Sequence, residues 1–395
     1  MNYDYDVIII GAGPIGSALA YQLASSNVKV ALIDKKKKVG LPLQCAGIIN
    51  RRILKIQDIP ENLILNQAKG AHIHSKNHTI HVSKDETQAL IIDRVAFDQH
   101  LFEKAKNAGA DILLSSKVID INPEDGIVLY INSEGEKEIK SKIIVGADGP
   151  KSLVSQKIGN EFKAYNASQY LVKVNGIDEM SFVDLYPKGE LWPGFLWCIP
   201  AYRNIFRIGL YSNKDYKRQD EILDDFLENE FRYDDYEVLE KYKGLIPIHD
   251  DDKKLVKDRI LLIGDAASQV KPTTGGGLLL GFQAVLIAAQ TILEALEEDD
   301  LSILSNYQKE FNKKFSSEFS YQIKVQKSLS TFSDDDLDDM LETMELRKID
   351  DLISSYGDMD DQSILVKELL KRGFILPLLP KLHKKELAKI WLLNV

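Results

Sequence analysis

The sequence predicts an α/β fold in which a parallel, helix-flanked sheet is interleaved with an antiparallel sheet and followed by a helical C-terminal region. Three observations carry this. An apolar run near the N-terminus, DVIII, turns through GAGPIG into the helix-forming stretch SALAYQLASS. Buried-type strands return far downstream, in KSKIIVGADGPKS at 140–152 and DRILLIGDAASQVKPTTGGGLLLG at 258–281. Between them lie alternating segments, SQYLVKVNGI and IFRIGLYS, whose period of two marks strands of a different kind.

The 395 residues, 44% of them hydrophobic, suffice for a large core and two or three domains. The parallel-sheet domain is expected to be discontinuous, built from 1–60, 86–165 and 250–300. The insertions 61–85 and 166–249 are expected to form the antiparallel sheet of a substrate domain. Residues 301–395 are charged and helix-like. The net charge of −10, with acids massed late as in FSDDDLDDMLETME at 332–345, argues against nucleic acid as a partner.

Two cysteines cannot form a disulfide framework, so a reducing cytoplasm is the expected location. Acids stand where a secretory signal would carry bases, and no uninterrupted apolar run of about 18 residues predicts a spanning helix. The final stretch, LLKRGFILPLLPKLHKKELAKIWLLNV at 369–395, reads as a helical cap on the core rather than a membrane-surface helix. Four of the seven histidines fall in AHIHSKNHTIHVS at 71–83. With no cysteine or acid cluster at ligand spacing, they read as solvated sheet edges, and no metal is expected.

The first element begins at Asp6. Gly11, Gly13 and Gly16 have the GxGxxG spacing, one for the tight turn, one for close approach to a pyrophosphate and one for helix–strand packing. The helix that follows offers unpaired N–H groups and a positive dipole end to phosphate. A second strand, KVALID, ends at Asp34, placed to accept hydrogen bonds from ribose hydroxyls. An adenosine dinucleotide therefore binds here, and an acid at 34 disfavours the 2′-phosphate of NADP.

The late strands then decide which dinucleotide. One ends in Gly146, Asp148 and Gly149, the other in Gly264 and Asp265 before a glycine-rich loop. Each Asp alone could cap a following helix. Together with the N-terminal turn, they give the chain a Rossmann-like core that resembles the FAD-dependent oxidoreductases of the p-hydroxybenzoate hydroxylase fold. The resemblance implies that FAD is held by Gly11, Gly13, Ile15 and Gly16, by Asp34, and by Asp148 and Gly149. It further implies Asp265 on the ribityl chain, with Gly275, Gly276, Gly277 and Leu278 against the ring, where a helix N-terminus favours the negative charge of reduced flavin. Arg94, at the start of a helix, is implied at the phosphate or ribityl region, and Val118 at the adenine through its backbone. Pairing of Arg94 with Asp93 or Asp98 is the plain alternative.

Within this fold, VGLPLQCAGII resembles the geranylgeranyl reductases, including the archaeal digeranylgeranylglycerophospholipid reductases. Their Gln-Cys-Ala-Gly segment runs along the flavin, which implies that Cys45, Ala46 and Ile48 line it. By its residues alone, Cys45 reads as a buried small hydrophobe. PGFLWCIP at 193–200 is similar to that family's Pro-Gly-Tyr-x-Trp-x-Phe-Pro segment, with Phe195 and Ile199 in place of Tyr and Phe. The missing phenol removes a proton donor.

The resemblance implies a flavin-dependent reductase of C=C bonds in geranylgeranyl chains of archaeal-type ether lipids. Its external electron donor would be NAD(P)H or a protein such as ferredoxin, and its membrane contact peripheral, at the inner face. Isolated alkenes are poor hydride acceptors, so the expected route is protonation to a tertiary cation with hydride delivered from the flavin. Cys45, Trp197 and Phe195 are the candidate catalytic residues, the aromatic faces suiting a cation in a water-excluding site. An aromatic-ring hydroxylase or halogenase, and a non-catalytic lipid-binding flavoprotein, are the rival expectations.

Overall fold

The computed structural model describes residues 3–175 and 180–373. The first apolar run forms the strand Tyr5–Ile10, whose last four residues are buried. It pairs in parallel with Val30–Ile33 on one side and Gly135–Gly146 on the other. Asp111–Leu113 and Ile260–Leu262 extend the same parallel sheet at its two flanks. Segments far apart in the chain thus share one sheet, and the C-terminal ends at Ile10, Gly146 and Leu262 come to one edge. That edge is where an open α/β sheet receives its ligand. The helices Pro14–Ala24, Arg94–Asn107 and Leu278–Glu297 pack together beside it.

The second sheet has seven strands among the described residues, in the order Tyr236–Pro247, Ala164–Val174, Ile205–Ser212, Leu196–Tyr202, Phe182–Tyr186, Gly70–His74, Thr79–Ser83. Alternation sends its residues to opposite faces. Tyr170, Phe206, Ile208 and Leu210 pack with Phe226 of the helix Tyr216–Asn229 on one face. Val183, Trp197, Ile199 and Tyr211 pack on the other, with Ala68, Ala89 and Ile91 of a small sheet formed by Ile48–Asn50, Ala89–Ile92 and Ile64–Ala68. Gly209 makes room for the indole: a Cβ there would lie 2.6 Å from the Trp197 ring.

The helices Ser305–Leu329, Asp334–Leu346, Ile349–Tyr356 and Gln362–Lys371 follow. They are fastened to the sheet edge by Asp338, which accepts hydrogen bonds from Ser75 Oγ, Asn77 N and Asn77 Nδ2, each at 2.7 Å. These bonds, that from Ser75 foremost, hold its carboxyl down at about 2. The cap expected at 369–395 lies outside the described residues beyond 373. One described helix, Leu278–Glu297, is long and apolar enough to cross a membrane, but 61% of its most apolar stretch is buried inside the fold. Gly281, Gln283, Gln290, Thr291 and Glu294 within it break the apolar run, so a count of consecutive apolar residues passes over it.

The histidines depart from the sequence expectation. His72 and His74 are half-buried, and both bond Asp184 Oδ1, at 3.3 and 2.9 Å. Asp184 is 1% exposed and also takes Arg232, at 3.1 Å. The partner acid is 110 residues from His74 in sequence but stands one strand away, paired with His72 in the sheet register. Local spacing could not reveal it.

Candidate functional site

A cavity of about 500 Å³ runs from the open edge of the parallel sheet to the inner face of the seven-stranded sheet. Its first wall is the glycine turn. Gly11 has φ +109°, and a Cβ there would lie 2.2 Å from the Ala147 carbonyl, so turn and strand end touch through bare backbone. A Cβ on Gly16 would lie 2.0 Å from the Gly11 carbonyl. Gly13 is different: nothing lies within 4 Å of where its Cβ would be. It caps the helix Pro14–Ala24 without a side-chain bond, so the first-turn N–H groups and the positive helix end face open space. Gly149, at φ +81°, is likewise open and lines the cavity.

The second wall is the late turn. Asp265 faces the cavity, and no described residue donates a hydrogen bond to its carboxylate. Burial pushes this carboxyl up to about 6, with the Arg94 charge acting in the opposite sense. Gly275, Gly276 and Gly277 follow, and Gly277 begins the helix Leu278–Glu297 without a side-chain cap. A second uncapped helix end therefore points at the same space.

The third wall is the thiol loop. Cys45, Ala46 and Ile48 line the cavity, and Cys45 Sγ accepts from Gly47 N at 3.3 Å. Arg94 bonds Asp98 at 3.0 Å, as the plain alternative held, yet it also lines the cavity and touches Cys45. Burial disfavours its charge, but Asp98 and then Cys45 raise its pKa and keep it protonated. Behind the loop lies Arg207, 5% exposed, which donates to the carbonyls of Ala46 at 2.7 Å and Ile92 at 3.1 Å. Among the described residues its Nε has no partner, and burial lowers its pKa. Gln169 ties this loop to the sheet, donating to the Cys45 carbonyl at 3.4 Å and accepting from Trp197 Nε1 at 3.2 Å.

The fourth wall is aromatic. Phe195 meets Trp197 edge-on at 6.2 Å between ring centroids and Tyr211 at 5.4 Å. The Tyr211 hydroxyl lies 2.9 Å from the Thr273 carbonyl and so joins the aromatic strands to the glycine-rich loop.

Four sequence candidates stand outside the lining. Gly11 serves packing. Asp34 accepts from Ala12 N at 2.8 Å and Lys36 N at 2.7 Å, bracing the glycine turn itself. Asp148 accepts from Ser152 Oγ at 2.5 Å and Leu153 N at 2.7 Å, capping the helix Leu153–Lys157. Val118 sits in the strand Lys117–Asn122, paired with Tyr130. The remaining candidates, Gly13, Ile15, Gly16, Cys45, Ala46, Ile48, Arg94, Gly149, Phe195, Trp197, Asp265 and 275–278, converge on the cavity.

Sequence reading missed the strap that closes it. Residues 357–361 cross from one helix to the next, and Met359 lines the cavity beside the Trp197 and Ile199 cluster. Arg52 binds Asp358 at 2.7 Å and also Asp361. Lys271 binds Asp360 and the Met359 carbonyl, each at 2.7 Å. Nothing in GDMDD announces a cavity wall. Arg207 did leave a trace, as a lone charge within the apolar strand IFRIGLYS.

Two facing uncapped helix ends, an unpartnered carboxylate and backbone open at Gly13 and Gly149 define a flavin-dinucleotide cradle, and its residues fit FAD. The chain belongs to the FAD-binding domain family, which it matches over residues 4–315. It is 31% identical over 380 residues to an uncharacterized protein of Methanocaldococcus jannaschii, covering 93% of this chain and 95% of that one. It is 29% identical over 372 residues to digeranylgeranylglycerophospholipid reductase 1 of Methanococcoides burtonii, covering 89% and 90%. In structure it is similar to a geranylgeranyl bacteriochlorophyll reductase-like protein of Thermoplasma acidophilum, with a TM-score of 0.81, 24% identity and coverage of 93% and 98%. The flavin-dependent brominase Bmp2 shares the fold at a TM-score of 0.67, 18% identity and coverage of 93% and 99%.

Two predictions follow from the cradle. Gly13→Val should leave folding intact, because its side chain enters open space, yet abolish the flavin absorbance of the purified protein; circular dichroism and visible spectra test both halves. Asp265→Asn should raise the melting temperature of the FAD-free protein at neutral pH. The folded carboxyl sits at about 6 against an ordinary value of 3.8, so its ionisation is a destabilising load above pH 6 that fades on acidification and is gone below about pH 4. Melts of both forms across that range test the sign, and FAD titration should show weaker binding in the variant.

Proposed function

We propose that the protein is an FAD-dependent reductase that saturates C=C bonds in the geranylgeranyl chains of archaeal-type membrane ether lipids. One observation carries the reading: a single cavity continues from the dinucleotide cradle, past the thiol loop, to a wall of Phe195, Trp197, Ile199 and Met359. That surface suits a long apolar chain and offers a polar substrate ring few partners. The similarity to lipid reductases over about nine-tenths of the chain supports it. The halogenase likeness, at 18% identity, speaks to the fold alone.

In this reading Gly13, Gly16 and Gly149 give backbone to the pyrophosphate, and Asp265 accepts from the ribityl hydroxyls. Gly275, Gly276, Gly277 and Leu278 meet the ring from one side, and Cys45, Ala46 and Ile48 from the other. Bound FAD supplies hydride chemistry. The chain's own work is to hold the alkene over that position, exclude water and face developing positive charge with the rings of Trp197 and Phe195. Gln169 fixes the indole by accepting from Trp197 Nε1, and Tyr211, anchored on the Thr273 carbonyl, packs edge-on against Phe195. Phe195 has no proton to give, so the proton comes from elsewhere in the cavity. Residues 1–60, 86–165 and 250–300 would form the FAD domain. Residues 61–85 and 166–249 would carry the substrate sheet. Electrons come from an external donor, NAD(P)H or a carrier protein.

The test is mass spectrometry of lipids from a host that makes geranylgeranyl ethers, with and without this protein. Gains of two mass units per saturated bond are expected with an active reductant present, and unchanged masses would refute the reading. Trp197→Ala should retain FAD and cut saturation at least about tenfold, the effect of losing a single cation–π contact in a desolvated site.

A further inference from the structure

We infer that residues 35–43 are the surface by which the protein docks on an anionic lipid membrane. The segment reads KKKKVGLPL and leads from the end of the strand Val30–Ile33 to the Cys45 loop. Lys35, Lys37 and Lys38 are exposed, and Lys36 is half-buried at the cavity. Among the described residues, no carboxylate lies within 4 Å of any of the four ammonium groups. Four lysines in succession occur nowhere else in this chain. With a net charge of −10, it pairs Lys137, Lys140, Lys142, Lys157 and Lys163 to neighbouring acids. The run is a patch of uncompensated positive charge on an acidic protein.

An apolar tip stands next to it. Leu41 is 43% exposed, Pro42 is exposed and Leu43 is half-buried. A cationic stretch beside exposed leucine is the composition that binds a lipid–water interface: the lysines are drawn to acidic headgroups, and the leucine partitions below them. An acidic protein partner would use the charge but leave the leucine without a purpose. Position decides further. Lys36, Pro42 and Leu43 line the same cavity whose far wall is Trp197 and Ile199. A long-chain lipid leaving a bilayer at this rim would reach the aromatic wall without crossing water. The lipid as substrate rests on the function proposed above; the docking surface does not.

The experiment is co-sedimentation of the FAD-loaded protein with vesicles of phosphatidylglycerol and, separately, of phosphatidylcholine. Binding to the anionic vesicles alone is expected, weakening with added salt. The triple variant Lys35→Glu/Lys37→Glu/Lys38→Glu should lose at least about a hundredfold in partitioning, from roughly fivefold per lysine. Leu41→Asp should also weaken it while leaving the salt dependence in place. Both variants should keep wild-type flavin absorbance and reduce detergent-solubilised geranylgeranyl lipid at the wild-type rate. Equal binding to the two vesicle types would overturn the inference, and so would binding unchanged in the triple variant. Loss of electron uptake from an acidic carrier protein with vesicle binding intact would reassign the patch to a protein partner. If vesicle binding behaves as expected but no prenyl lipid is reduced, the docking surface stands and the lipid-reductase function falls.

Discussion

Two buried ionisable groups govern this structure. Asp265 faces the cavity with no donor to its carboxylate among the described residues, and Arg207 lies beneath the thiol loop on the carbonyls of Ala46 and Ile92, with the Asp93 carboxylate nearby and no ion pair within 4 Å among the described residues. Leaving such groups uncompensated costs several kcal/mol each in a low-dielectric interior. A fold keeps them where a ligand completes them. In the proposed function FAD would supply ribityl hydroxyls for the carboxylate, and the guanidinium behind the thiol loop would favour negative charge in the cavity. The rest of the architecture sets Asp265 in one wall of the cavity and Arg207 behind the thiol loop that forms another. The parallel sheet fixes the Asp265 turn, and the seven-stranded sheet carries Arg207.

The cavity is composite in a specific way. Its walls come from the N-terminal turn, the thiol loop, the strand Leu196–Tyr202, the late glycine turn and the strap at 357–361, and hydrogen bonds link the last four. Gln169 joins the thiol loop to the aromatic strand, and Tyr211 joins the aromatic strands to the glycine loop. Lys271 clamps the strap to the late glycine turn, and Arg52 clamps it to the short helix that follows the strand Ile48–Asn50. Apolar lining alone would give a pocket of variable shape. The ties give the aromatic faces a fixed relation to the cradle, as the proposed hydride transfer to an unactivated alkene would require.

What the sequence revealed follows from what is local. GxGxxG, the buried strands and the uncapped glycine turns are short-range features with fixed physical roles, and they led directly to the parallel sheet and most of the lining. The aspartates were less legible, since the same residue after a buried strand can cap a helix or face a ligand. Asp148 does the first and Asp265 faces the open cavity, and only the direction of the side chain separates them. Contacts between distant segments were invisible. Asp184 meets His72 and His74 across a sheet register, and Met359 reaches the cavity through charges on Arg52 and Lys271 that no local pattern encodes.

The central claim is a geometric one: the flavin ring is sandwiched between the Cys45–Ala46 loop and the 275–277 turn, beneath Trp197. A crystal structure of the FAD-loaded protein tests it most directly. The account predicts the ring in van der Waals contact with both segments and a ribityl hydroxyl on Asp265. A ring seated away from either segment, with the Asp265 carboxylate still unpartnered, would contradict it.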